Sequence, residues 1–331
     1  MSEYAIEVYD LVKKFNDLTA VDGITLKISK GEIFGLLGPN GAGKSTTINI
    51  LLHLLEPTSG KALVDGYDIL KHSKEVKKLI GLVPQETVVE PELTAEANLR
   101  LFGRLYELPE DEIEKKIDEL LKLAELSEFR HKLAGTFSGG MQRRLAVVKA
   151  LIHDPSILIL DEPTVGLDVQ NRTALWNLLK KINRERGVTI LLTTQYLEEA
   201  DMLCNRIAII DHGKIKAMGT PAQLKQSISK GFMIEIFAEQ KHIKDIMALI
   251  KHRFRLEASM SGDRITVNIS ANPVEFLSKV SSELEKEKIP IISISMHMPT
   301  LDDVFLKITG SSIRDTASNE VVSPTVRLRG R

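Results

Sequence analysis

Ile33-Phe34-Gly35-Leu36-Leu37-Gly38-Pro39-Asn40-Gly41-Ala42-Gly43-Lys44-Ser45 decides how this chain is read: a short apolar run, then a glycine-rich loop. Ile48, Leu51, Leu52 and Leu55 follow at i, i+3, i+4 and i+7, one buried helix face, and Pro57-Thr58-Ser59-Gly60 ends that helix. A loop between strand and helix that fits G-x-x-x-x-G-K-[ST] cradles phosphate. Its glycines let the backbone curl so that successive N–H groups point inward, and the helix N-terminus adds roughly half a positive charge. Lys44 is expected to reach the β- and γ-phosphates, and Ser45 to ligate Mg2+. Asn40, Gly41, Ala42, Gly43 and Thr46 complete the expected phosphate-binding set.

Such a loop needs a second strand that brings a carboxylate to the metal. Ile157-Leu158-Ile159-Leu160-Asp161-Glu162 supplies one, with two acids at the carboxyl end, where ligands sit in parallel sheets. Asp161 is expected to bind Mg2+, and Glu162 to polarise the attacking water as general base. Val188-Thr189-Ile190-Leu191-Leu192 is a third apolar strand, and the helix before it carries Leu175, Leu178, Leu179 and Ile182 on one face. Strands apolar on both sides, separated by amphipathic helices, predict a parallel sheet covered by helices. Residues 110 to 153 read as a charged, mostly helical insertion. Trp176, beside Leu175 and Leu179, reads as packing.

Composition bounds the function. With 331 residues, 43% hydrophobic and 27% charged, the chain reads as folded and of about two domains. Its 44 Lys and Arg balance 45 Asp and Glu, which argues against a nucleic-acid partner held by bulk charge. The single cysteine, Cys204, excludes an internal disulfide framework and a multi-cysteine zinc site, and fits a reducing cytoplasm. No segment is apolar for long enough to cross a membrane, and the N-terminus lacks the pattern of a secretory signal. The expected location is cytoplasmic.

After Gly219-Thr220-Pro221 the pattern changes. Phe232, Ile234, Ile236 and Ala238 alternate as a strand; Ile243, Ile246, Met247 and Ile250 stripe a helix; Arg264 to Ile269 alternates after a Ser261-Gly262-Asp263 turn. Leu277, Val280 and Leu284 mark a second helix, and Ile292, Ile294 and Met296 a last strand. The order β-α-β-β-α-β is that of a ferredoxin-like domain. A short helix near 301–308 finishes it, and residues 311–331 read as a flexible tail.

Phe137-Ser138-Gly139-Gly140-Met141-Gln142-Arg143 narrows the family. A serine and two glycines opening a helix make a second anion-binding site, far in sequence from the first. The stretch resembles the signature of ABC-type ATPases, and so implies an α/β fold of the P-loop NTPase class: a mixed sheet with helices plus a helical subdomain. The expected boundaries are an ATP-binding domain over 1–222, its helical subdomain at about 86–153, and the small α+β ferredoxin-like domain over 223–310.

The resemblance implies further roles. Gln85, in Gly81-Leu82-Val83-Pro84-Gln85, is similar to the glutamine that contacts Mg2+ and water and relays to the membrane partner. Phe15 sits where the family stacks an aromatic ring on adenine, and Val21 and Gln142 join the nucleotide-binding set. Gly166-Leu167-Asp168 resembles the loop whose aspartate lies across a dimer seam, and Ser138, Gly139 and Gly140 would close the partner's ATP.

One position departs from the pattern. Thr193-Thr194 is followed by Gln195 where the family usually has histidine; a glutamine donates a hydrogen bond to the γ-phosphate but cannot become cationic, which shifts the weight onto Glu162. Residues 191–201 and Leu301-Asp302-Asp303-Val304-Phe305-Leu306-Lys307-Ile308-Thr309-Gly310 closely resemble ATP-binding subunits of daunorubicin-resistance-type drug exporters. The implied protein is a homodimer or heterodimer of ATPase subunits around two MgATP, peripheral on the inner face of the cell membrane through a separate integral-membrane permease, without nucleic acid and without direct cargo contact. A soluble ABC ATPase of nucleic acid or ribosomes, or a weakly hydrolysing regulatory subunit, is the alternative.

Overall fold

The computed structural model describes residues 3–86, 89–229, 231–270 and 272–309. The tail expected over 311–331 lies outside them. The chain divides between Thr220 and Pro221 into two compact units.

The first unit begins with a long hairpin, β1 (Tyr4–Phe15) and β2 (Leu18–Ser29), followed by β3 (Ile33–Leu37) and α1 (Lys44–Leu51). Next come β4 (Ser59–Val64), β5 (Tyr67–Asp68), α2 (Ser73–Leu79) and β6 (Ile80–Val83). Three helices form the insertion: α3 (Ala95–Leu105), α4 (Glu110–Leu123) and α5 (Gly139–Lys149). The chain then runs through β7 (Ile157–Asp161), α6 (Val169–Arg186), β8 (Thr189–Thr194), α7 (Leu197–Leu203), β9 (Arg206–Asp211) and β10 (Lys214–Gly219).

Two sheets share these strands. The larger has the order β10-β9-β3-β8-β7-β6, parallel except for β10 at one edge; the smaller, β2-β1-β4-β5, is antiparallel. Every residue of β3 and β8 is buried, and β7 is buried up to Asp161, as continuous apolar runs require of a sheet covered on both faces. The core between the sheets joins Ile6, Val8, Ile24, Phe34, Leu36, Ile48, Ile159 and Ile210. Because neighbouring strands point the same way, the carboxyl ends of β3, β8, β7 and β6 emerge side by side. Those ends carry Lys44, Gln195, Asp161 with Glu162, and Gln85.

The helix after the glycine-rich loop is shorter than its apolar spacing suggests. It stops at Leu51, because His53 takes φ 49°, and Leu55 packs against the core from outside it. A left-handed residue breaks the i→i−4 ladder before the proline is reached.

The second unit holds α8 (Pro221–Gln226), β11 (Phe232–Phe237), α9 (Gln240–Leu249), β12 (Ala258–Ser261), β13 (Arg264–Ile269), α10 (Pro273–Lys286), β14 (Ser293–His297) and α11 (Leu301–Thr309). Its sheet runs β12-β13-β11-β14, antiparallel throughout. In unit order that is 2-3-1-4, the split β-α-β arrangement that the alternation predicts. Ile234, Ile236, Ile246, Val267, Val280 and Leu284 form its separate core.

Candidate nucleotide-binding and hydrolytic site

The loop between β3 and α1 is shaped by glycines with no room for a side chain. A Cβ on Gly38 would fall 2.3 Å from the Ile210 carbonyl oxygen, and one on Gly43 2.4 Å from that of Ala20. Gly43 also takes φ 105°, outside the range of ordinary residues, at the N-cap of α1. Asn40, Gly41 and Ser45 are exposed, Thr46 is half-buried, and Ala42 is buried. The cradle thus fits a phosphate chain at a helix N-terminus.

Lys44 turns back over this loop. Its Nζ donates to the carbonyls of Gly38 (2.8 Å) and Pro39 (3.1 Å), and lies 3.2 Å from Oε1 of Glu162. Glu162 is reached through strain: its φ is 46°, left-handed for a residue with a side chain. The backbone is held there by Thr193 on β8, for Glu162 N–H meets both Thr193 Oγ1 (3.0 Å) and the Thr193 carbonyl (3.2 Å). The same threonine hydroxyl donates to Asp161 Oδ1. Thr193 therefore orients both acids, a role that its apolar strand surroundings gave no signal of. Asp161 and Ser45 are hard oxygen donors, the set that Mg2+ prefers.

Gln195 is half-buried just past β8, followed by a turn in which Tyr196 N–H donates to Thr194 Oγ1. Gln85 is exposed just past β6. Phe15 ends β1, is 42% exposed, and has the Lys13 ammonium 5.0 Å from its ring centroid. Val21, expected in the nucleotide-binding set, is fully buried in the core instead and presents no side-chain surface.

The signature residues are brought together with Asp168 rather than with the phosphate loop. Ser138 N-caps α5, accepting from Met141 N–H, and it and Gly139 are exposed. Gly140 faces α6 so closely that a Cβ would fall 1.9 Å from Asn171 Oδ1. Asn171 is itself gripped by Asp168, whose carboxylate caps α6 through Asn171 N–H (2.9 Å) and Nδ2 (2.7 Å). Those two donors hold the Asp168 carboxyl below its usual range. Gln142 turns its amide back onto the Ala134 carbonyl, 3.1 Å away.

Behind the site lies a buried polar layer that sequence reasoning missed. Glu199 on α7 is fully buried and accepts from Trp176 Nε1 at 3.1 Å. Burial pushes its carboxyl up, against the pull of Thr194, Trp176, Thr164 and Arg143. Arg143 is likewise buried, and its guanidinium meets main-chain carbonyls at the exits of β6 and β7.

A phosphate cradle after β3, carboxylates at the end of β7, the next strand but one in the sheet, and a signature helix define a P-loop ATPase of the cassette type. The family model described as ABC transporter matches residues 21–165. The chain is 37% identical to the linearmycin resistance ATP-binding protein LnrL of Bacillus subtilis, over 94% of this chain and all of that one. It is 38% identical to the doxorubicin resistance ATP-binding protein DrrA of Mycobacterium tuberculosis, over 88% and 89%. Among solved structures, CbiO1 of Clostridium perfringens, part of the ABC transporter complex CbiONQ, superimposes with a TM-score of 0.65 at 27% identity, over 77% of this chain and 97% of that one. The dimeric post-hydrolysis cassette MJ0796, bound to ADP and Pi, gives 0.58 at 31%, over 65% and 98%.

The chain belongs to the ATP-binding proteins of the ABC transporter family. It is an ABC-type ATPase subunit that binds nucleotide. Among the described residues no helix is long and apolar enough to cross a membrane.

Proposed function

We propose that this ATPase powers the export of drugs or other amphipathic compounds by a separate membrane permease, two ATPase subunits closing around two MgATP. The observation that carries the site reading is the convergence of Lys44, Asp161 and Glu162 at the ends of β3 and β7, the strands on either side of β8. The exposed Ser138, Gly139 and Asp168 support dimerisation, because anion-binding N–H groups facing outward are available to a second subunit's nucleotide. The resistance named in the relatives supports the exporter assignment.

The residues divide the chemistry. Backbone N–H groups of residues 41–46 and the Lys44 ammonium hold the β- and γ-phosphates, while the Phe15 ring stacks on adenine. Ser45, Asp161 and Gln85 would hold Mg2+, which would supply charge neutralisation on the phosphate oxygens. Glu162 Oε accepts the proton of the attacking water, a role worth about 10²- to 10⁴-fold. Gln195 donates a hydrogen bond to the γ-phosphate. ATP binds the closed pair better than the open one, and hydrolysis removes that preference.

A cavity of about 440 Å³ between the sheet and the helical insertion is the seat for a cytoplasmic helix of the permease. Leu54, Leu82, Phe102, Tyr106 and His153 line it, and the Tyr106 and His153 rings stack at 3.8 Å. Burial lowers the His153 pKa, so the stacked ring is neutral at pH 7, and Lys77 and Lys149 are the charged residues of an otherwise largely apolar wall. Through that contact the subunit lies on the inner face of the membrane.

Glu162→Gln protein with MgATP on gel filtration tests the dimer: a shift to twice the subunit mass supports it. Full-rate hydrolysis by a wild-type subunit diluted beyond pairing overturns it. Co-purification with the candidate permease and cargo-stimulated ATPase activity test the exporter assignment.

A further inference from the structure

Arg143 lies one turn inside α5 and is 2% exposed. Its guanidinium donates from Nε to Pro163 O (2.8 Å), from Nη1 to Pro84 O (2.6 Å) and Gln85 O (3.3 Å), and from Nη2 to Asp161 O (3.2 Å) and Glu162 O (3.4 Å). Every acceptor named is a main-chain carbonyl, and together they come from two places: the exits of β6 and β7. Burial lowers the Arg143 pKa to about 10, opposed by Glu199 and Asp161, so the group is still a cation at neutral pH. A buried cation costs several kcal/mol unless its donors are satisfied, and this one uses its whole fork.

The two segments it joins are the ones whose movement matters most. Residues 84–85 carry Gln85, beside the cavity wall formed in part by Pro84 and Leu82. Residues 161–163 carry the proposed base on a left-handed backbone, which Thr193 holds from one side at its N–H and Arg143 from the other at its carbonyl. α5 itself is the helix that Ser138 opens.

We infer that Arg143 is a positioning residue that makes the setting of Glu162 follow the setting of the Gln85 segment. A shift of residues 84–85 pulls on Nη1, and the rigid planar fork passes it to the carbonyls of 161–163 through Nε and Nη2. The inference rests on the assignment of Glu162 as general base. Its function is to place that carboxylate, and it does not touch the reacting atoms.

The test uses the full chain and four variants: Arg143→Lys, Arg143→Gln, Glu162→Gln, and Arg143→Gln combined with Glu162→Gln. Lysine keeps the charge and most of the volume but has no fork, so it should reach the carbonyls of one segment only. Expected are unchanged ATP binding and KM, with kcat reduced by about 10- to 100-fold, the scale of a small misplacement in a reacting site. The double variant should be no slower than Glu162→Gln alone, because a base that is absent cannot be misplaced. Arg143→Lys should fall between wild type and Arg143→Gln.

Should Arg143→Gln fail to fold, Arg143→Lys decides by the same measures. A kcat within twofold of wild type in a folded Arg143 variant overturns the inference, as does a loss that multiplies with that of Glu162→Gln. Wild-type hydrolysis by Glu162→Gln would instead strike the assignment of the base, so the two failures are told apart.

Discussion

Lys44 Nζ and Glu162 Oε1 stand 3.2 Å apart, with both side chains almost closed to solvent. A cation this close, in a site closed to water, attracts the carboxylate and steers its oxygen. It also competes for that oxygen. The phosphates of ATP are stronger anionic partners for the same ammonium, so in the proposed mechanism substrate binding would release Glu162 from Lys44 to accept a proton. On that proposal the pair links occupancy of the cradle to readiness of the base.

Replacing Glu162 with Gln keeps the shape and removes the proposed proton acceptor. ATP should still bind, and turnover should fall by at least about 10²-fold. Phosphate release and nucleotide binding, measured on one preparation, check this. Hydrolysis near the wild-type rate would show that another group takes the proton.

Gln195→Ala removes the one hydrogen bond proposed to the γ-phosphate and leaves Glu162 in place, so the loss of rate should be smaller, about tenfold. A loss equal to that of Glu162→Gln would make the residue after β8 the primary catalytic group. It would also revive the reading of a weakly hydrolysing subunit.

Gly140→Ala places a methyl group 1.9 Å from Asn171 Oδ1 and 2.8 Å from Asn171 Cβ, so α5 must move off α6. Overpacking of this kind costs about 1–3 kcal/mol. The melting temperature should fall, and Asn171→Ala on the same chain should restore part of it. Independent, additive losses in the double variant would show that the two helices do not meet through this pair.

Glu96 on α3 accepts from Arg130 Nε and Arg100 Nη2, each at 2.6 Å, and these partners lower its pKa from 4.5 to about 2. The folded state then binds the proton less well than the unfolded chain. Its contribution is complete above about pH 4.5 and is lost as the pH falls towards 2. Glu96→Gln should cost on the order of 2 kcal/mol at pH 7, after discounting for screening at a part-exposed site. It should also flatten the acid limb of the stability curve. Denaturant midpoints between pH 2 and 7 measure both, and parallel curves for the two proteins would contradict the assignment.

What the sequence disclosed was what lies close together along it. The phosphate loop is legible because eight consecutive residues carry its geometry, and β3, β7 and β8 because strands buried on both faces must be apolar throughout. The ferredoxin-like order of the second unit followed from alternation and one turn. What remained hidden depends on residues distant in sequence. Asn171 matters because of Gly140, and Thr193 because parallel pairing sets it opposite Asp161. Val21 sits in a hairpin whose inner face is core. Arg143 did leave a trace, for it shares the inward stripe of α5 with Gly140 and Val147, where an arginine is out of place.

The fork of Arg143 reads carbonyl oxygens, and two of its five acceptors belong to prolines, Pro84 and Pro163. Side-chain identity at the gripped positions is therefore invisible to it. Descendants of this chain are free to exchange Pro84 and Pro163, tuning those turns to new transport companions, while Gln85, Asp161 and Glu162 answer to the proposed chemistry and the brace underneath stays as it is. For the brace as such, the backbone path and the arginine are what has to be inherited intact.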